Sequence, residues 1–206
     1  MQAAAVLLLS FAAGAIPFSY LAGRRARGVD LRRVGTGTVS GTSLYRVAGF
    51  GPLAAAGVLE VAKGAVGPAV ATAAGRPALA AVAGGAAVVG HNWSPFLRGA
   101  GGRGISPALG ALLVVAWPAA VLLLAGMILG KVFGETAVGA LVAEIALTPV
   151  LALTHGAVGA LAGVSVAIPM LVKRVVGNAP APAPRAQTYR NRILFDRDQR
   201  VASDQL

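Results

Sequence analysis

The apolar positions of this chain run in long blocks, and its charges fall between the blocks. Met1 to Leu21 carries no charge, and neither does Gly104 to Gly130. Each stretch is long enough for a helix across a hydrocarbon core of roughly 30 Å, which takes about 20 residues. One buried helix of a soluble domain looks similar, but the pattern recurs along the chain and so favours membrane spans. The blocks predict spans at Ala3–Leu21, Phe50–Ala73, Ala78–Phe96 and Ser106–Leu129, the last kinked near Pro118. Between Lys131 and Lys173 the pattern fits one crossing plus a broken helix, or three short tilted helices, with the break expected at Pro149.

Charge sets the sidedness. Arg24, Arg25 and Arg27 follow the first block and nothing basic precedes it, so it reads as a span with its N-terminus outside, not as a cleaved signal segment. The loops 22–49 and 97–104 then lie inside, and Lys173-Arg174 and a basic tail favour the same side, which requires an odd number of crossings. Five or seven helices fit, and the expectation is an all-α polytopic membrane bundle of seven, some short or broken, with a cytoplasmic C-terminus. Residues 1–174 form its membrane domain, and 175–206 a linker and basic cytoplasmic tail. The Ala-Pro run of 179–187 reads as extended linker, and 188–206 as either disordered or folded back onto the membrane face.

Composition agrees: charged residues are 12 % of the chain, against about 25 % in soluble domains. A net charge of +11 suits anionic head groups or anionic substrates. Nucleic acid explains it less well, because the charge is scattered over several loops without a recognisable nucleic-acid fold. With no cysteine, disulfides and thiolate metal sites are excluded. Neither a metal-ligating nor a phosphate-loop motif occurs, so no metal or cofactor is expected. Most glycines need no functional reason, since small residues let membrane helices approach closely.

Three constellations carry candidate chemistry. The first is the loop Val34–Ser43 with Arg46. Gly35 and Gly37 allow close backbone approach, and Thr36, Thr38, Ser40, Thr42 and Ser43 supply hydroxyls. Such a loop leading into a helix suits an anion, although a flexible interfacial loop with capping hydroxyls fits equally well. The second runs from Gly90 to Gly104, where Gly101, Gly102 and Gly104 surround Arg103, whose guanidinium matches phosphate oxygens. His91 stands near the end of a span, as a titratable group or a packed interface residue, and Trp93 reads as a head-group anchor. The third is Glu60 with Lys63, one helix face inside a span, as a neutralising pair or a substrate contact. Glu144 and His155 suit a polar contact between helices.

At these residues the chain resembles the bacterial membrane glycerol-3-phosphate acyltransferases that use acyl phosphate as donor (PlsY type). Gly14-Ala-Ile-Pro-Phe18 and Gly28-Val-Asp-Leu-Arg-Arg-Val-Gly-Thr-Gly37 are similar to the family's G-S-I-P and G-x-D-I-R-x-x-G-S-G. Glu60-Val-Ala-Lys-Gly64 resembles D-x-x-K-G, and Gly90-His-x-x-Ser-Pro-Phe96 with Gly101-Gly-Arg-Gly104 resembles G-H-x-F-S-P-F and G-G-K-G. The match covers about residues 14–110 in order and spacing.

The resemblance implies seven helices, N-terminus outward and C-terminus inward, in a bacterial plasma (inner) membrane with a cytoplasmic active face. It implies a monomer whose partners are acyl phosphate, glycerol 3-phosphate and membrane lipids, making lysophosphatidate and phosphate for phospholipid biosynthesis. Thr36 takes the place of a phosphate-binding Ser, Arg46 of a phosphate-binding Arg, His91 of the motif His, Arg103 of the glycine-loop Lys, and Thr42 of the family Thr. Lys63 and the glycines around Thr36 and Arg103 join them as substrate-binding candidates. The sequence departs from the family where Thr38 and Ser43 replace Asn, Ser40 replaces Gly and Pro107 replaces Thr. Tyr189–Ile193 lies where H-R-E-N-I is expected, putting Arg192 in place of the functional Asn. These losses keep open a silent or altered-acceptor homologue that binds lipid or phosphate. A small transporter is the remaining class, with only Glu60, Lys63, Glu144 and His155 to line a polar path.

Overall fold

Pro17 breaks the first apolar block in two. Having no N–H, it cannot continue the hydrogen-bond ladder, and the chain forms α1 (Ala3–Ala15) and α2 (Phe18–Arg27) on either side of it. The structure is a computed structural model and describes residues 2–198, which contain helices, turns and loops and no strand. After a short 3₁₀ turn come α3 (Gly41–Ala48), α4 (Phe50–Ala73) and α5 (Pro77–Asn92). A second 3₁₀ turn leads to α6 (Ile105–Val115), α7 (Trp117–Val132), α8 (Thr136–Val176) and α9 (Arg185–Phe195). Three stretches, Ala3–Arg27, Phe50–Ala73 and Thr136–Val176, are long and apolar enough to cross a bilayer. Leu8, Val58, Leu113, Ile128 and Leu153 point outward, as expected where the solvent is lipid.

In lipid, burial of apolar surface gives helices little reason to associate, so close backbone packing at small residues matters more. Gly14 lies against the Ala87 carbonyl and Gly90 against that of Phe11, which joins α1 to α5. Gly64 sits under Pro107, joining α4 to α6, and Gly85 lies against Ser165, joining α5 to α8. Asn92 adds a polar tie, its amide donating to the Pro169 carbonyl at 2.8 Å. Leu112, Leu123, Leu147, Leu151 and Met170 fill the apolar core between α6, α7 and α8.

Two expectations about helix breaks are corrected. The block Ser106–Leu129 is not one kinked span. Its helix ends at Ala116 (φ −161°, ψ 79°), and a new one starts at Trp117-Pro118, because proline costs no hydrogen bond in a first turn. Nor does α8 break at Pro149, which stays within the helix; it breaks at Gly156 (φ 60°, ψ −146°), a conformation essentially confined to glycine. Gly159 then packs on Leu151 and Gly163 on Thr148, so the chain doubles back into two antiparallel limbs. Gly126 and Gly130 both meet Gly139, which lays α7 antiparallel to the first limb.

The tail up to Asp198 folds back, with α9 packed on α8. Residues 199–206 lie outside the described region. A Cβ at Gly64 would fall inside the contact radius of the Pro107 carbonyl oxygen. Gly64→Ala is therefore expected to destabilise the bundle by about 1–3 kcal/mol, an overpacking cost, read as a lowered Tm in detergent.

Candidate active site

The Pro17 break leaves backbone groups of α1 and α2 without helical partners, and side chains from α4 and from the turn after α5 take them up. Ser94 Oγ donates to the Ala15 carbonyl at 2.6 Å, and Lys63 Nζ donates to the Ile16 carbonyl at 2.5 Å. The Ser19 N–H donates to Glu60 Oε1 at 2.8 Å. The other oxygen, Glu60 Oε2, lies 2.6 Å from Lys63 Nζ and 3.2 Å from His91 Nδ1. An unsatisfied backbone group in lipid costs several kcal/mol, so the break and this cluster require one another. Glu60, Lys63, His91 and Ser94 line a tight crevice with Pro17 and Gly102.

The second glycine loop wraps the same histidine. Gly102 N–H donates to the His91 carbonyl at 3.3 Å. A Cβ at Gly102 would collide with His91 Nε2, and one at Gly101 with the His91 carbonyl, so only glycine permits the approach. The first loop is stitched to the second. Val39 N–H donates to the Gly101 carbonyl at 3.1 Å. The Asn178 amide donates to Gly37 O and Gly101 O at 2.9 Å each, while its Oδ1 accepts the Gly101 N–H at 3.1 Å.

Within the first loop, Gly35 and Gly37 have positive φ. Thr36 and Thr38 share a hydroxyl hydrogen bond at 3.0 Å, and Ser40 caps α3 by accepting the Ser43 N–H at 3.3 Å. Ser43 Oγ donates to the Thr38 carbonyl at 2.9 Å. Thr42 and Arg46 are exposed one turn apart on α3. At the start of the loop Asp30 accepts from Arg32, and that hydrogen bond holds its carboxyl at about 2, below the ordinary 3.8. This clamp is complete above the ordinary carboxylate range and is lost only as the pH falls through about 2.

Arg103 turns away from the crevice. Its Nε lies 2.5 Å from Asp196 Oδ1 of the tail, and its Nη1 donates to the Lys173 carbonyl at 2.6 Å. Burial pushes the Asp196 carboxyl up and the Arg103 guanidinium down from their ordinary values, against the attraction of the pair. Among the described residues no three His, Asp or Glu side chains gather to suit a metal ion.

Residues 4–177 match the profile described as glycerol-3-phosphate acyltransferase. The chain belongs to the glycerol-3-phosphate acyltransferase family. A glycerol-3-phosphate acyltransferase of Synechococcus sp. (strain CC9902) is 36 % identical over 172 residues, covering 81 % of this chain and 84 % of that protein. Glycerol-3-phosphate acyltransferase 5 of Dehalococcoides mccartyi (strain ATCC BAA-2266 / KCTC 15142 / 195) is 31 % identical over 207 residues, 95 % of this chain and 89 % of its own. The fold is similar to the crystal structure of PlsY (YgiH), an integral membrane glycerol 3-phosphate acyltransferase, in its glycerol 3-phosphate form. The TM-score is 0.79 at 21 % identity, over 97 % of this chain and 96 % of that one. The chain is thus an all-helical membrane protein of the acyltransferase family, and a silent homologue is not the favoured reading.

Several expected site residues of this acyltransferase come together and others do not. His91, Lys63, Gly101 and Gly102 share the crevice, and Gly35–Ser43 lies against it through Gly37, Val39 and Asn178. Arg192 does not reach the loops. Its guanidinium donates to the Val175, Val176 and Ala179 carbonyls at the end of α8 and pairs with Asp198. The carboxamide that reaches the glycine loops is Asn178, whose only sequence signal was a polar side chain directly after the last span. Glu144 contacts Arg174 at 3.2 Å across the two limbs of α8, whereas His155 sits exposed beside Thr154.

Removing the Glu60 carboxylate leaves Lys63 buried without a counter-charge. Glu60→Ala is therefore expected to cost about 3–5 kcal/mol, the usual penalty for breaking a buried pair, and Glu60→Asp less. Thermal unfolding in detergent reads both.

Proposed function

We propose that this chain moves a fatty acyl group from acyl phosphate to the 1-hydroxyl of glycerol 3-phosphate, on the cytoplasmic face of a bacterial plasma membrane, as a monomer. The observation that carries the reading is the joining of the two glycine-rich loops by Asn178 beside His91, in a chain of this family. Seven crossings with the N-terminus outside fit the reversals at Ala116, Gly134 and Gly156. Both glycine loops and the end of α8 meet at one end of the bundle, which suits the positive-inside rule.

In the proposed reaction the acceptor hydroxyl oxygen attacks the acyl carbonyl carbon. The carbon–oxygen bond to phosphate breaks, and the hydroxyl proton passes to the departing phosphate, giving lysophosphatidate and inorganic phosphate. No side chain needs to act as base, so the protein's part is positioning and charge stabilisation. Arg46 and the hydroxyls of Thr36 and Thr42 are exposed to phosphate oxygens, with Thr38 buried behind Thr36, and Glu60 fixes the His91 ring. An apolar groove of about 600 Å³ between α4 and α6, lined by Val58, Val61, Ala62, Gly110 and Leu113, would seat the acyl chain.

The test is turnover by purified protein in detergent or lipid with palmitoyl phosphate and glycerol 3-phosphate, followed by phosphate release and by mass spectrometry of lysophosphatidate. Turnover is expected, and Arg46→Ala and His91→Ala should each lower it by about 10²-fold or more, as for loss of a group that stabilises developing charge. Folded protein that binds palmitoyl phosphate but makes no lysophosphatidate would replace glycerol 3-phosphate with another acceptor.

A further inference from the structure

Where α8, α9 and the second glycine loop meet, the buried cations are nearly all matched. Arg103 has Asp196, Arg174 has Glu144 and Arg192 has Asp198, while Lys63 at the break has Glu60. Lys173 is the exception among these residues. It is 1 % exposed, yet no described carboxylate pairs with it. Among the described residues its ammonium reaches only the Gly99 carbonyl, at 3.5 Å, and the face of the Trp93 ring, with 5.2 Å to the centroid. An ammonium has three donors, and one bond at the outer limit of length leaves most of that capacity unspent.

A buried cation without a counter-charge is costly. The partial negative charge at the end of α8 offsets only a fraction of that cost, and the neighbouring Arg103 adds to it. What the position lacks is an anion. The ammonium lies at the Gly99–Gly102 loop, whose other side wraps His91 and is tied to Asn178.

We propose that Lys173 is a phosphate-binding residue of this site, its ammonium meeting a phosphate oxygen of substrate at the Gly99–Gly102 loop. The assignment rests on the acyltransferase reading for the nature of its ligand. Arg103 is then the residue that holds α8 and the tail against the loop, while Lys173 supplies the charge that the substrate meets.

The experiment compares wild-type protein with Lys173→Met and Lys173→Arg in detergent. Tm is measured alone, with glycerol 3-phosphate, and with palmitoyl phosphate, and KM is measured for each substrate. Lys173→Met should unfold at or above the wild-type Tm without ligand, because an unpaired buried charge has been removed. It should lose the ligand-induced rise in Tm and show a KM raised at least about ten-fold, an anchoring charge being lost; Lys173→Arg should recover part of both. A rise with glycerol 3-phosphate alone places the acceptor phosphate at Lys173, and one with palmitoyl phosphate alone places the donor phosphate there. Lys173→Met that keeps the rise and the KM overturns the proposal, as does one whose unliganded Tm falls and is not restored by Lys173→Arg. Wild-type protein that binds a probe through Lys173 but makes no lysophosphatidate would sink glycerol 3-phosphate as the acceptor and leave this proposal standing. No rise with either probe in wild-type protein overturns both.

Discussion

The site depends on one carboxylate placed at a broken helix. Pro17 interrupts the first span inside an apolar environment, and the groups released there need partners that lipid cannot supply. Glu60 takes the Ser19 N–H with one oxygen and faces Lys63 and His91 with the other. Lys63 and Ser94 take the freed carbonyls. A single backbone defect thus draws residues from α4 and α5 to one point and fixes the ring around which the second glycine loop is wrapped.

From that point the construction spreads by close backbone contact. Gly101 and Gly102 press on His91, and Asn178, at the far end of the chain, binds Gly101 and Gly37 together. The tail contributes through Asp196 and Asp198, which engage Arg103 and Arg192. The charges at this end of the molecule are mostly internal fasteners. Among the described residues, the exposed Arg46 and the buried Lys173, which no described carboxylate pairs, are two cations left for a substrate.

Much of this was legible in the sequence because its signals are local. Long uncharged blocks announce spans, glycine with hydroxyls announces a loop suited to anions, and Glu60 with Lys63 announces a shared helix face. The breaks were harder to read. Pro118 and Pro149 looked alike as interruptions, yet one begins a helix and the other passes through it, since neighbouring helices and local adjustment accommodate proline in membranes. The true reversal at Gly156 was one glycine among 28. Partners were illegible for a different reason. Nothing local pairs Arg103 with Asp196 or Asn178 with Gly37, because such contacts exist only after the chain has closed on itself. Arg192 was placed by motif position, and its real task, closing the end of α8, is set by tertiary geometry.

The claim that the site is organised by the Pro17 break is tested most directly by healing the break. Pro17→Ala restores an N–H and lets α1 run into α2, which returns Ser19 and Ile16 to the helical ladder and releases Glu60 and Lys63. The measurement is kcat/KM with palmitoyl phosphate and glycerol 3-phosphate, on protein whose helix content by circular dichroism is unchanged. A fall of about 10²-fold, the scale of a small misplacement of reacting groups, is the predicted result. Wild-type kcat/KM in folded Pro17→Ala protein would contradict the account.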